Sequence, residues 1–164
     1  MFQLKPISKE SIPAAIEKAE RYRLINEPNL AESICLDILE ADPQNAKALV
    51  VLLLAITDQF NSSASGDVNR AKQLLSRLQS DYEKNYYAGI ISEREGTVLL
   101  NRVKGGQFAV YEWLREAMDF YEKAEALRPP GNDDSILRWN TCARLIMRHH
   151  LSPSTEKYVE PPLE

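Results

Sequence analysis

Residues 117–131 read "AMDFYEKAEALRPPG". Ala117, Tyr121 and Ala124 stand four and three residues apart, Pro129 follows five later, and good helix formers occupy the places between. Steps of three and four put side chains on one face of a helix. The Pro129–Pro130 pair cannot continue it. The stretch is therefore the later part of a helix predicted over about residues 108–127. Its alanines leave room for a neighbouring helix, and Tyr121 fills the gap one turn on.

The same intervals recur upstream. Ala31, Cys35, Ile38 and Pro43 repeat them, and so do Ala71, Leu75, Leu78 and Glu83, with glutamate where the others have proline. A second pattern occupies the helices outside these blocks. It reads Trp139, Cys142, Ala143, Ile146 in the last helix, and earlier Ala15, Lys18, Ala19, Tyr22, then Leu49, Leu52, Leu53, Ile56, then Ser92, Glu95, Gly96, Leu99. The third member of each set is small in three cases of four, which allows two antiparallel helices to pack closely.

Together the two patterns resemble the tetratricopeptide repeat, a helix–turn–helix unit of 34 residues with the pattern W-x2-L-G-x2-Y…A-x3-F…P. The resemblance is strongest over residues 117–129 and 139–146 and weakest over Ser92–Leu99, where Glu95 holds an expected apolar place. It implies an all-α fold, a TPR-like α–α superhelix of about seven antiparallel helices. One helical-repeat domain is expected over residues 8–150, with units at about 12–43, 46–83 and 86–129, a closing helix at 133–149 and a tail at 151–164. Ala31, Ala71 and Ala117 are 40 and 46 residues apart rather than 34. The excess falls in "NSSASG", "VKGGQF" and "GND", where lengthening a surface loop costs little.

Along the chain, Ser8 or Ser11 is expected to cap a first helix with Pro13 in its opening turn, and "NEPN" ends it. Further helices are expected from Leu30 to the "ADPQN" stop, from about Ala46 to Phe60, around Val68 to Leu78, from about Lys84 to Val103, over 108–127, and from about Ser135 to His149 with Asp133 or Asp134 as cap. No segment keeps a period of two, so no sheet is expected.

The chain has 164 residues, 44% hydrophobic and 27% charged, enough for one domain with a real core or a short repeat array. A net charge of −4 and a pI near 5.3 argue against a nucleic-acid footprint and against a polybasic membrane patch. "ALVVLLLAI" (Ala48–Ile56) is too short for a span, which needs roughly 20 residues. The N-terminus lacks a signal-peptide core. Cys35 and Cys142 lie in apolar helical patterns and read as buried reduced thiols of a cytoplasmic protein.

No residue set points to a reaction, a cofactor or a metal. His149 and His150 are adjacent, so on a helix they point about 100° apart. Glu93 and Glu95 lie on different faces and read as exposed helix charge. "VKGGQ" lacks phosphate-loop spacing. A buried cluster of titratable groups would favour an enzyme, and none is evident from the sequence.

The resemblance also implies a concave groove. Matching positions give Ile16, Glu20, Arg23 and Leu24 in the first unit, and Lys47, Val50, Leu54, Thr57 and Asp58 in the second. The third gives Ile90, Glu93, Thr97, Leu100 and Asn101, and the closing helix gives Leu137, Asn140, Arg144, Met147 and Arg148. The places that grip a peptide carboxylate in some family members hold Ile16, Glu20, Val51, Ile90 and Arg94, of which only Arg94 fits. The expectation is a non-catalytic adaptor that takes a protein or peptide segment on an apolar floor, with a small chaperone or an enzyme's regulatory subunit as the alternative. A filled, narrow groove is the competing reading of those residues. Tyr158, Val159 and Leu163 suggest a tail lying along the array or last helix; a disordered tail is the alternative.

Overall fold

Helix punctuation in this chain is local chemistry, and the computed structural model, which describes residues 1–61, 66–102 and 106–154, shows it at nearly every boundary. After a single 3-10 turn at Lys9–Ser11, helix α1 spans Ile12–Leu24. Ser11 does not cap it through its side chain; its hydroxyl donates to the Ser8 carbonyl instead. Asn26 ends α1 in the left-handed region, φ 62°, so that the Glu27 amide reaches back to the Tyr22 carbonyl at 2.8 Å. Pro28 then opens α2 (Pro28–Ala41), where its missing N–H costs nothing.

Helix α3 (Ala46–Asp58) begins under Asn45, whose Oδ1 accepts from the Ala48 amide at 3.0 Å. Helix α4 covers Gly66–Leu75, and α5 covers Asp81–Arg102. Glu83 proves to be the reciprocal half of a capping box: its amide donates to Ser80 Oγ at 3.1 Å and its carboxylate accepts from the Ser80 amide at 3.3 Å. The glutamate that replaces proline in the middle block thus starts the next helix. Helix α6 (Gln107–Leu127) stops where Arg128 is forced extended ahead of Pro129. Helix α7 is Asp134–Arg148. Asp133 stands at its N-cap without capping it, its carboxylate lying 3.5 Å from Arg128 Nε, and Asn132 Oδ1 accepts from the Asp134 amide at 3.0 Å.

The described residues form seven α-helices and no strand, so the fold is all-α. Each helix packs on its chain neighbour, α5 on α6 most extensively, and α3 also touches both α1 and α5. The core has two parts. One joins α1 to α4 with Ile91 and Val98 of α5, and the other joins Ile90 of α5 to α6, α7 and Leu151. Leu54 and Tyr87 pack against both. Ala31, Ala71 and Ala117 are each fully buried. At Gly96 a Cβ would lie 3.0 Å from Trp113 Cβ and 3.4 Å from Leu114 Cγ, so the small residue there lets α5 and α6 approach closely. Alternate helices are also joined: Arg70 of α4 pairs with Glu32 of α2, and the Lys72 ammonium of α4 sits 5.5 Å from the Trp113 ring of α6.

After α7, His150 turns left-handed and Leu151 returns to the core, its amide bonded to the Ile146 carbonyl at 3.0 Å. The expectation for the tail anchors at Tyr158, Val159 and Leu163 lies outside the described residues. No described helix is long and apolar enough to cross a membrane.

Candidate functional site

Two places hold the polar groups that could serve a function: a face shared by α1, α3 and α5, and a buried cluster between α5, α6 and α7. The first is organised by Asp58. This carboxylate closes α3, where the helix dipole disfavours negative charge. Two guanidiniums offset that: Arg23 Nε of α1 at 2.8 Å and Arg94 Nη2 of α5 at 3.4 Å. Three helices distant in sequence are thereby tied side by side. Thr57 beside it is buried, its hydroxyl satisfied by the Leu54 carbonyl at 2.8 Å.

Other residues of the expected groove distribute unevenly. Glu20, Lys47 and Asn101 are exposed; Val50, Leu54, Thr97 and Leu100 are half-buried. Thr97 spends its hydroxyl on the Glu93 carbonyl. Ile16 and Ile90 are buried in the first and second core parts respectively, so their side chains hold helices together and present nothing to a partner. The placement fails for these two because position in a helical unit sets a direction, and a close neighbouring helix can still cover it. On α7, Asn140 is half-buried while Arg144 and Met147 are both exposed. Arg138 of α7, which the groove pattern does not include, pairs with Glu93 of α5.

The second place corrects the reading of Glu93 as exposed charge. Its residue is only 6% exposed. Oε2 accepts from the Tyr121 hydroxyl at 2.5 Å, and Oε1 accepts from Arg138 Nη1 at 3.1 Å. Tyr121 is itself fully buried, its ring against Gly89, and the Arg138 guanidinium also lies beside Tyr86. Burial and then the Glu93 charge push the Tyr121 phenol well above its ordinary range. Burial opposes the charge on Arg138, but Glu93 and the tyrosines together outweigh it and the guanidinium is held above its usual value. Burial, reinforced by Glu93, lifts the Cys142 thiol to about 12. A titratable cluster therefore exists, contrary to the sequence-based expectation. Its groups satisfy one another, and its nucleophiles are shifted away from reactivity rather than toward it. It is an internal tie between α7 and the α5–α6 hairpin. A buried pair one helix away in space but 45 residues away in sequence leaves no local pattern; only Gly89 and Glu93, one turn apart on α5, hint that a large polar-tipped ring must sit there.

Among the described residues no group of three or more His, Cys, Asp or Glu could hold a metal. Cys35 and Cys142 are both buried and free, in separate parts of the core. Burial lifts Cys35 to about 12 as well. Both thiols thus stay protonated in the folded chain at a pH where the unfolded chain ionises, near 9. This stability is fully present below pH 9 and is lost as pH rises toward 12, at up to roughly 1.4 kcal/mol per pH unit for each thiol. Urea midpoints of the reduced protein should fall steadily between about pH 9 and 10.5, and replacing both cysteines by alanine should flatten that decline. An unchanged slope in the double variant would contradict the assignment.

No protein-family model and no curated protein matches this sequence.

Proposed function

We propose that the chain is a non-catalytic interaction scaffold, a tetratricopeptide-like array that binds a protein or peptide segment across α1, α3 and α5. The carrying observation is the alignment of those helices by Arg23, Asp58 and Arg94, which leaves exposed Glu20, Lys47 and Asn101 on elements that also offer half-buried Val50, Leu54 and Leu100. A mixed surface of this kind suits an extended or helical segment with apolar anchors and charges of both signs. No nucleic acid, membrane or cofactor enters the proposal, and its setting is cytoplasmic. A chaperone for one client, or an enzyme's regulatory subunit, would use the same face.

Affinity capture from the native host tests it. A partner retained by the wild-type chain should be lost on combining Glu20→Lys with Lys47→Glu, two exposed changes that leave the helical circular dichroism unaltered. Equal retention by the variant would remove this face from the proposal.

A further inference from the structure

A second surface lies on the other side of α3. Leu52 and Ile56 point away from Leu54 and Asp58, because two residues along a helix is about 200°. They floor an open cleft of about 490 Å³ between α2 and α4, together with Leu39 and Leu74. One wall is α2, with Leu36, half exposed at 51%, and Glu40 one turn beyond it. The other wall is α4 and the turn after it, with Arg70 and Arg77.

The charges on the walls are opposite and incompletely used. Arg70 is already paired with Glu32 and Asp67. Arg77 has only a carbonyl, donating to Pro43 O at 2.7 Å, and forms no ion pair among the described residues. Glu40 and its neighbour Asp37 form no ion pair among those residues either, although Lys5 lines the trough beside them. Arg77 reaches Pro43, just past the end of α2, so Arg77 and Glu40 occupy the same end of the cleft, while Arg70 and Glu32 mark the other.

We infer that this cleft is the interface of a symmetric homodimer. A two-fold axis running along the cleft exchanges its walls and keeps its ends in place. Glu40 of each copy then meets Arg77 of the other, and each protruding Leu36 closes over the other copy's apolar floor. Such a surface is self-complementary, as an isologous contact requires. The trough beside it, about 450 Å³, continues along the same edge of α2 with a mixed lining: apolar Leu4, Pro6 and Leu36, and charged Lys5, Asp37 and Glu40. The occupant is a second copy because knob, hole and both charges are present on one surface in matching register. This face is distinct from the one proposed for partner binding.

The test uses two single charge reversals and their mixture, followed by sedimentation and light scattering. Wild-type chain at about 100 µM should be dimeric, in the range typical of modest interfaces. Glu40→Arg alone and Arg77→Glu alone each place like charges together twice and should weaken self-association at least about tenfold. An equimolar mixture of the two should recover a heterodimer, with one contact pairing Arg at position 40 against Glu at position 77 of the other variant. Leu36→Arg should be monomeric at unaltered circular dichroism. A monomeric wild type, or single reversals without effect, overturns the inference. A partner captured through Arg77 by a monomeric chain would also overturn it, assigning the cleft to another protein.

Discussion

Glu93→Ala should be among the most destabilising single substitutions in this protein, lowering the unfolding free energy by about 3–5 kcal/mol. Among the described residues the carboxylate is the sole anion paired with Arg138, and it accepts the Tyr121 hydroxyl. Removing it strands a partly buried guanidinium and orphans a phenol that is fully buried. Each loss has its own desolvation cost: the phenol cannot reach water where it lies, whereas the guanidinium, 36% exposed, is only partly rehydrated. For a chain of this size the melting temperature should drop by roughly 10 °C. Two companions separate the contributions. Tyr121→Phe deletes one donor and should cost only about 1.5–3 kcal/mol. Glu93→Leu combined with Arg138→Leu removes both charges and should cost clearly less than the sum of the two singles, because an apolar pair needs no compensation. Additive losses in that double variant would show that the ion pair does not act as a unit.

Gly89→Ala carries the second large effect, and its sign is the informative part. At a solvent-facing helix position this change stabilises by about 1 kcal/mol through backbone entropy. Here the added Cβ would lie 2.7 Å from Tyr121 Cδ1 and closer still to Cε1. The ring cannot swing aside: its hydroxyl is held by Glu93, and the Tyr86 ring lies 5.9 Å away, centroid to centroid. The clash should therefore appear as a loss of about 3 kcal/mol, at the upper end of overpacking costs. In a Tyr121→Leu background the ring is gone, and the same alanine should become neutral or mildly stabilising. Urea unfolding of the four proteins measures the coupling. A loss that persists undiminished in the ring-free background would mean that Gly89 matters for some reason other than this tyrosine.

Glu93 and Gly89 mark the limit of what local patterns convey. The seven helices are legible in one dimension, because Pro28, Pro43 and Pro129 and the polar turns between them act within a few residues of where they stand. Burial of Ala31, Ala71 and Ala117 also follows from a periodicity along the chain. Glu93 reads as exposed because a lone glutamate in a helix is usually solvated, and nothing near it in sequence announces Tyr121 or Arg138. Residue type points to Ser11 and Asp133 as caps, yet those helix starts are satisfied differently: a 3-10 turn leads into α1, and Asn132 serves α7.

Of the candidate face, residue order alone supplied Arg23, Asp58 and Arg94 as separate positions, and folding brought them to one carboxylate. It also took Ile16 and Ile90 out of reach. Local signals are enough to set helix type and length, since capping and periodicity involve neighbours along the chain. Which polar groups end up inside, and with whom, depends on helices tens of residues apart meeting at ångström distances, and that pairing has no counterpart in any short stretch of the chain.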